Sequence, residues 1–233
     1  MNKKEKKNID FLLDKLICHR GIYDNKDIYE NTIDAFKETL KYDCILEFDV
    51  RMLKCGTLVV FHDDDMERLL HVEGKIEKIT YDELTYMAKY EVPTFESVLK
   101  LVNGRIPILI ETKSKTKRCI MESKMAELLD KYNGLYAIQS FNLKSLKWFN
   151  KNRENVVIGY LIGKKNCKSE PIFFKKYDFL NVNIKLFNDK RVRKMREDKK
   201  VLGYTVKTKE MYELKKDVYD NLSCDNLLEI IEG

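Results

Sequence analysis

The sequence predicts an α/β fold, a (β/α)8 TIM barrel with a small insertion after its second strand. Short β-rich runs alternate with segments of helical period, which is the pattern of strand–helix units around a parallel sheet. Eight parallel strand candidates can be counted, which is the number that such a barrel needs. Polar side chains follow several of these strands, and the carboxyl ends of barrel strands carry the active site.

Each predicted strand is a short, mostly apolar run. The eight segments are 16–19, 44–52, 108–112, 135–139, 156–161, 179–183, 201–205 and 219–224. A further extended segment, 58–61, follows the Cys55-Gly56 turn. We place the insertion at about 64–105.

Segments of helical period separate most of the strands. Asn31 can cap a first helix that carries Ile33, Phe36 and Leu40 on its inner face. The helix after 156–161 is poorly marked, because the segment 171–176 is short. The other helices are predicted near 80–88, 93–102, 119–132, 143–149, 192–197 and 210–216.

Length and composition predict one domain over residues 1–233. The chain is 44% hydrophobic, enough for one sizeable core, and no linker-like stretch divides it. Its 44 basic and 38 acidic residues give a formal net charge of +6 and are interleaved, which is typical of a solvated surface. We therefore expect no nucleic-acid partner.

Cysteine usage indicates a reducing compartment. The six cysteines are scattered and form no CxxC pair, which is typical of reduced core residues in a cytosolic protein. No continuous apolar stretch near the N-terminus is long enough for export or for crossing a bilayer. The sequence therefore predicts a cytoplasmic location. The cysteines are Cys18, Cys44, Cys55, Cys119, Cys167 and Cys224.

An apolar stripe near the N-terminus permits two interpretations. Ile9, Leu12, Leu13 and Leu16 fall at helical spacing, and the lysines before them would suit an anionic bilayer. The stripe is short and interrupted by acids, which favours a turn of helix that closes the bottom of the barrel. We therefore expect no stable membrane association and a water-soluble, deacylated substrate.

Three carboxylates predict a metal site. Glu47 and Asp49 are two residues apart on one strand and so share a face, while Glu111 ends the next parallel strand. Buried acids this close raise each other's pKa, so a cation or a proton must normally relieve them. Hard oxygen ligands suit Mg²⁺ or Ca²⁺.

Two histidines and two basic residues complete the candidate site. His19 and His62 each follow a strand next to a charged residue, a placement that favours acid–base chemistry. Arg20 and Lys113 add positive charge where a phosphate could bind.

Short motifs recur in order along nearly the whole chain and are densest over 19–63. They are His19-Arg20-Gly21, Glu30-Asn31-Thr32, Ala35-Phe36, Glu47-Phe48-Asp49-Val50, His62-Asp63 with Arg68, Pro93-Thr94-Phe95, Glu111-Thr112-Lys113 and Gln139-Ser140-Phe141. Together they resemble the successive signatures of the glycerophosphodiester phosphodiesterases.

This resemblance implies a TIM barrel with one divalent cation, Mg²⁺ or Ca²⁺, that hydrolyses a glycerophosphodiester to glycerol 3-phosphate and an alcohol. The roles it implies are an acid–base pair at His19 and His62, metal ligands at Glu47, Asp49 and Glu111, and phosphate contacts at Arg20 and Lys113.

The chain departs from the family pattern at three places. Tyr29 replaces a proline that commonly precedes the Glu-Asn-Thr signature, and the late signature that usually reads Trp-Thr-Val-Asn appears as Tyr204-Thr205-Val206-Lys207. Near the C-terminus the usual Thr-Asp-x-Pro becomes 224–227, Cys-Asp-Asn-Leu. All three lie in the rim or pocket wall of the family's barrel, so they bear on substrate choice.

Structural roles compete with some functional ones. Lys113 could simply neutralise Glu111, and Arg20 could hold Glu30. Glu47 and Asp49 could be ends of structural salt bridges. Three further residues could either pack in the barrel or contact the substrate, namely Gln139, Phe141 and Tyr204. We interpret Asp225 as the cap of the last helix.

Two other functions fit the same residue set. One is a phospholipase C- or D-like phosphodiesterase that acts on lipid, and the other is a catalytically silent barrel that binds a phosphorylated ligand. The intact histidine pair argues against the second.

Overall fold

Eight parallel strands close into a barrel in the computed structural model, which describes residues 7–115, 118–165, 174, 176–186 and 188–232. The strands are β1 Ile17–His19, β2 Ile45–Met52, β3 Leu58–Val60, β4 Ile108–Thr112, β5 Tyr136–Ser140, β6 Val157–Ile162, β7 Phe179–Asn183, β8 Lys200–Val206 and β9 Asn221–Cys224. Eight of these strands form the ring, in the order β1-β9-β8-β7-β6-β5-β4-β2, and pairing of β1 with β2 closes it. β3 pairs antiparallel with β2 outside the ring. The predicted TIM barrel is confirmed.

Helices surround the barrel. In the described ranges they are α1 Ile33–Thr39, α2 Glu67–Leu70, α3 Tyr81–Met87, α4 Phe95–Val102, α5 Ile120–Leu129, α6 Leu143–Asn152, α7 Lys190–Asp198, α8 Lys209–Lys215 and α9 Leu227–Glu232, with 3-10 turns at Asp10–Leu12, Ile76–Lys78 and Ile184–Leu186. None of these helices combines the length and the apolar character that a membrane span requires.

The first helix starts one residue later than the sequence predicted. Thr32, not Asn31, caps α1, and its side chain accepts a hydrogen bond from the backbone N–H of Ala35 at 3.3 Å. Asn31 has a φ of 60° and is buried. This left-handed conformation, which asparagine tolerates well, turns the Asn31 side chain toward β2.

The cysteines only partly follow the prediction that they are core residues. Cys18, Cys44 and Cys224 are buried, whereas Cys55 is exposed in the turn between β2 and β3. All five cysteines in the described ranges are free thiols. Cys167 and most of 171–176, the poorly marked helix, lie outside the described residues.

Apolar side chains fill the lower half of the barrel and are closed off by the N-terminal turn. Leu12 is fully buried among them, and Asn221 donates hydrogen bonds to the carbonyls of Leu12 and Lys15, both at 2.7 Å. The N-terminal turn therefore plugs the bottom of the barrel, opposite the carboxyl ends of the strands. The filling residues are Ile17, Ile45, Leu109, Ala137, Val157, Phe179 and Leu202.

The insertion packs Leu70 and Ile76 into a second apolar cluster, which it shares with Val59 on β3 and with Phe61 just after β3. In contrast, α4 packs its buried face into the cluster that surrounds the barrel. The sequence analysis placed α4 inside the insertion at about 64–105, but its packing makes it one of the barrel's outer helices.

Candidate active site

The register of the parallel strands brings the predicted site residues to one end of the barrel. His19 at the end of β1 pairs with Glu47 on β2. On the other side of β2, Asp49 pairs with Glu111, which in turn pairs with Gln139 on β5. Residues two apart on a strand face the same way, so Glu47 and Asp49 both point into the barrel.

Glu47, Asp49 and Glu111 form a buried carboxylate cluster. Each offers one oxygen within 4.8 Å of those of the other two. Burial raises the pKa of Glu47 well above its ordinary value, and the charges of Asp49 and Glu111 raise it further. Burial also raises the pKa of Glu111. The cluster therefore stores electrostatic repulsion that a bound cation would relieve.

Two basic side chains approach this carboxylate cluster. The Lys113 ammonium lies 2.6 Å from Glu111 Oε1 and 3.1 Å from Asp49 Oδ1, and Arg20 Nε lies 3.3 Å from Asp49 Oδ2. Burial alone would raise the pKa of Asp49, but Lys113 and Arg20 hold it well below its ordinary range. Lys113 thus neutralises Glu111, as the structural interpretation expected, and Asp49 as well.

These charge contacts do not satisfy the whole cluster. Glu47 Oε2 is buried and has no hydrogen-bond partner within the part of the chain that the structure describes, whereas Asp49 Oδ1 and Glu111 Oε1 are buried with the Lys113 ammonium as their neighbour. Oxygen atoms in this state are costly to bury unless something binds them. The donor set is all oxygen and mainly carboxylate, so it fits a divalent cation such as Mg²⁺ or Ca²⁺.

His19 is held by a carboxylate from the far end of the sequence. Its Nδ1 lies 2.5 Å from Oδ1 of Asp225, which follows β9. Burial would raise the pKa of Asp225, but the hydrogen bond from His19 lowers it overall, so Asp225 is ionised and accepts a hydrogen bond from the Nδ1–H group of His19. The other ring nitrogen, Nε2, lies 3.9 Å from Glu47 Oε2. His19 therefore presents Nε2 to the carboxylate cluster.

His62 has a carboxylate partner too. Its Nδ1 lies 2.6 Å from Asp63 Oδ1, and Arg68 donates from Nε to Asp63 Oδ2, also at 2.6 Å. Arg68 continues to Glu30 through two hydrogen bonds of 2.8 Å, and Arg20 donates to the same carboxylate at 2.8 Å. An unbroken network of hydrogen bonds and ion pairs therefore connects His62 with Arg20 and fixes the loops that carry both.

Arg20 has one of the two roles that the sequence analysis left open, and its contact with a phosphate stays a prediction. It holds Glu30, as the structural interpretation expected, and it also lies beside Asp49 in the barrel mouth. Its side chain is 14% exposed, so it faces the mouth only partly.

Gln139 has a partner within the protein. Its amide donates to Glu47 Oε1 at 3.1 Å, and Asn181 donates to the Gln139 oxygen at 2.8 Å. These bonds fix the orientation of Glu47, and Gln139 is buried rather than facing open solvent.

Phe141 and Tyr204 form one side of the mouth. Phe141 is 45% exposed, and its ring meets that of Tyr204 edge to face, with the centroids 6.2 Å apart. The Tyr204 hydroxyl donates to the carbonyl of Ile162 at 3.2 Å. Burial and the nearby Glu111 raise the pKa of Tyr204. The two aromatic rings thus border the site rather than packing in the barrel core.

The sequence analysis missed the roles of Asp225 and Asn31. Asp225 was interpreted as a helix cap, whereas its carboxylate binds His19. Asn31 was interpreted as a cap too, whereas its amide donates to Asp49 Oδ2 at 2.9 Å. A signal for Asp225 was present, because it follows the last barrel strand directly, at the end that carries active-site residues.

Known proteins resemble this chain in sequence. Over 162 residues the chain is 30% identical to a glycerophosphodiester phosphodiesterase of Caldanaerobacter subterraneus subsp. tengcongensis, a match that covers 63% of this chain and 65% of that protein. A second match covers only 60% of a putative glycerophosphodiester phosphodiesterase of Bacillus subtilis, so the chain spans less than two thirds of these relatives.

Solved structures share the fold. A glycerophosphodiester phosphodiesterase from Thermotoga maritima superposes with a TM-score of 0.77 at 24% identity, over 93% of this chain and 96% of the other. An Oleispira antarctica phosphodiesterase in complex with the product sn-glycerol-3-phosphate superposes with a TM-score of 0.81 at 18% identity, over 95% and 96%. The model of the glycerophosphoryl diester phosphodiesterase family matches residues 19–228, and the chain therefore belongs to that family.

Proposed function

We propose that the protein is a metal-dependent glycerophosphodiester phosphodiesterase, which hydrolyses its substrate to glycerol 3-phosphate and an alcohol. The observation that carries this proposal is the position of two histidines beside one carboxylate cluster. His19 and His62 each have Nδ1 occupied by a separate carboxylate, Asp225 or Asp63. Each ring is thereby oriented with Nε2 left for chemistry.

Glu47, Asp49 and Glu111 are the residues that would hold the cation. When bound, a divalent cation supplies Lewis-acid stabilisation of charge on the phosphate oxygens. Arg20 and Lys113 lie against the same carboxylates and would contact the non-bridging phosphate oxygens.

The histidines move the protons. One removes the proton from the attacking oxygen, and the other protonates the departing alkoxide. Burial lowers the pKa of His19, against the effect of Asp225, so its ring is neutral at neutral pH and suited to accept a proton. Asp225 then stabilises the imidazolium that forms.

The related proteins support the proposal. Relatives carry the name glycerophosphodiester phosphodiesterase, and the product sn-glycerol-3-phosphate is bound in one structural neighbour. We propose a small glycerophosphodiester as substrate, a cytoplasmic location, and neither a nucleic-acid partner nor stable membrane association. A human relative named lysophospholipase D is 30% identical over 136 residues, which makes lipid substrates the alternative to test.

The test is a substrate panel for the purified protein with Mg²⁺, Ca²⁺ or a chelator. The panel contains glycerophosphocholine, glycerophosphoethanolamine, intact phospholipids and glycerol cyclic phosphate. We expect release of glycerol 3-phosphate from the deacylated diesters and loss of activity with chelator. Preference for intact phospholipid would indicate the lipid-acting alternative, and absence of turnover for the whole panel would indicate a silent barrel. Full activity after chelation would contradict the metal requirement.

A further inference from the structure

Asn181 is a buried residue on β7 that belongs to none of the sequence motifs discussed above. It lies two residues after Phe179, one of the residues that fill the barrel, so its side chain points inward as well. Asn181 is 1% exposed, and its partner Gln139 is 2% exposed. A side chain with so little exposed surface offers a substrate almost nothing to contact. Any role of Asn181 in the site is therefore exerted through another side chain.

Two amides and Glu47 form a chain of hydrogen bonds across the barrel. Asn181 donates from Nδ2 to Gln139 Oε1 at 2.8 Å, and Gln139 donates from Nε2 to Glu47 Oε1 at 3.1 Å. The chain runs from β7 through β5 to β2. Three strands lie between β7 and β2 in either direction around the ring. Glu47 is thus connected to the opposite side of the barrel.

The packing beneath this chain leaves room for it. β6 lies between β5 and β7 and contributes Gly159, which pairs with Gln139 on one side and with Phe179 on the other. The Phe179 ring comes within 2.1 Å of the position that a Cβ of Gly159 would take. β6 therefore has no side chain there that could separate Gln139 from Asn181. One layer below, Ala137 and Phe179 belong to the apolar filling of the barrel, so the two amides lie on a packed floor.

The direction of the hydrogen bonds leaves one oxygen of Glu47 unoccupied. Only the nitrogen of a glutamine amide can donate to a carboxylate. The N–H group of Asn181 satisfies the Gln139 oxygen, which keeps the Gln139 nitrogen directed at Glu47 Oε1. Glu47 Oε2 then has no hydrogen-bond partner in the described ranges and lies 3.9 Å from His19 Nε2. The chain therefore presents Oε2 as the oxygen that can bind a cation.

Asn181 is not the most stabilising residue for its position. Its Oδ1 is buried and accepts no hydrogen bond from any residue that the structure describes. Burial of an unpaired amide oxygen disfavours folding, so an apolar residue of similar size would suit the position better if only packing mattered. An unpaired buried oxygen of this kind is typical of a side chain that serves a site.

We propose that Asn181 is a positioning residue for the cation, and that it acts by orienting Gln139 and, through Gln139, the ligand Glu47. This inference rests on the proposed function, because it requires that Glu47 binds a cation. Removal of the Asn181 amide should therefore weaken cation binding, although Asn181 is not itself a ligand.

Calorimetric titration of the metal-free protein with Mg²⁺ or Ca²⁺ alone measures this effect without an activity assay. Asn181→Val should raise Kd roughly 10-fold, and Gln139→Met, one bond closer to Glu47, should raise it roughly 10- to 100-fold. The double variant should bind no more weakly than Gln139→Met, because Asn181 acts only through Gln139. Asn181→Ala cannot overpack the barrel and replaces Asn181→Val if that variant does not fold.

Asn221→Val is the matched control. Asn221 is also a buried asparagine on a barrel strand and donates two hydrogen bonds, but it lies at the bottom of the barrel. Asn221→Val should lower the melting temperature of the metal-free protein and leave Kd unchanged. Asn181→Val exchanges one unpaired oxygen, its own Oδ1, for another, Gln139 Oε1. It should therefore change the metal-free melting temperature less than the control does, while it raises Kd.

The failures are distinguishable. If the wild type binds the cation and both Asn181 variants bind it equally well, the inference is wrong and the proposed metal site stands. Additive effects of Asn181→Val and Gln139→Met in the double variant would also overturn it, since Asn181 would then act by another route. If the wild type binds neither cation, the metal requirement in the proposed function is wrong, and this inference with it.

Discussion

His19 and Asp225 lie 206 residues apart in the sequence, yet their side chains are 2.5 Å apart. The contact exists because β1 and β9 are neighbours in the closed barrel, with Cys18 paired to Cys224. Asp225 thus positions the ring of a proposed acid–base residue from the last strand of the fold. This arrangement gives Asp225 a function that a helix cap would not have.

Asp225→Asn should lower kcat by roughly 10- to 1000-fold, because an amide can present a donor to Nδ1 and favour the wrong tautomer of His19. KM should change less, and the pH at which kcat reaches half its maximum should shift. Steady-state kinetics over pH 5 to 9 would measure both. The control is Asp217→Asn, at an exposed carboxylate, which should behave like the wild type. Unchanged kcat and pH profile in the Asp225 variant would mean that the contact is merely structural.

His19→Asn and His62→Asn should each reduce turnover by roughly 10²-fold or more, because each removes one of the two proposed proton-transfer groups. The third histidine provides the control. His71 is exposed on the insertion and has a φ of 56°, a conformation that asparagine tolerates, so His71→Asn should retain activity. Substrates with good leaving groups would hide loss of the acid, so the assay must use an alkyl leaving group. Near-normal turnover of either active-site variant on such a substrate would refute the acid–base pair.

Metal binding by the carboxylate cluster can be tested without an activity assay. Glu47→Gln should abolish the rise in melting temperature that Mg²⁺ or Ca²⁺ causes, while the chelated variant should melt at or above the chelated wild type. Removing one charge relieves the repulsion that raises the pKa of Glu47, and it also removes a ligand. For the wild type, cation at about 100 times Kd should raise the melting temperature by roughly 5 to 10 °C.

Glu127→Gln, at an exposed position on α5, is the matched control and should keep the full metal-induced shift. If the Glu47 variant also kept that shift, the cation would have to bind elsewhere.

A site residue could be predicted from the sequence only where its position follows from the strand that carries it. Glu47, Asp49 and Glu111 come together through alternation and parallel register, and both can be deduced from local sequence. The role of Asp225 depends on a neighbour 206 residues away, and a short polar residue before a helix has an equally good local explanation as a cap. The same ambiguity hid Asn31.

An open groove beside α8, lined by residues that include Ile184, Tyr204, Met211 and Leu214, could not be predicted either. It depends on how the ends of β7 and β8 and the first turns of α8 are placed relative to one another. The sequence marks Leu214 only as an apolar residue in a helix, and such residues usually face the core. Its exposure follows from the tertiary arrangement alone.

The ionic network at Glu30 should make stability depend on pH. Burial would raise the pKa of Glu30, but the hydrogen bond from Arg68 and the charge of Arg20 lower it overall. A carboxylate whose pKa is lower in the folded state stabilises the fold above its unfolded-state pKa, about 4.3 for glutamate. That contribution is lost as the pH falls through the folded-state pKa.

Glu30→Gln should therefore lower the free energy of unfolding by about 2 kcal/mol at pH 7, because it removes the carboxylate that Arg20 and Arg68 share and leaves each arginine with one acidic partner, Asp49 or Asp63. The difference from the wild type should shrink as the pH falls below about 4. Urea titrations at several pH values would measure it, with Glu73→Gln at an exposed carboxylate as control. A difference that is the same at both ends of the pH range would rule out the ionic contribution.

A mutation in the N-terminal turn should lower the stability of the fold without lowering catalytic activity. Leu12 is fully buried at the bottom of the barrel, and Asn221 ties its carbonyl to β9. Leu12→Ala should lower the free energy of unfolding by about 2 to 5 kcal/mol through loss of burial and the cavity left behind. It should leave kcat nearly unchanged at temperatures where the variant is folded, because the site lies at the opposite end. Leu13→Ala, at a half-buried neighbour, should lower the free energy of unfolding by less.

Because the Leu12 side chain is buried inside the barrel and cannot contact a bilayer, neither variant should change sedimentation with anionic vesicles at physiological salt. Wild-type binding to vesicles that Leu12→Ala abolishes without loss of stability would instead assign this segment to the membrane.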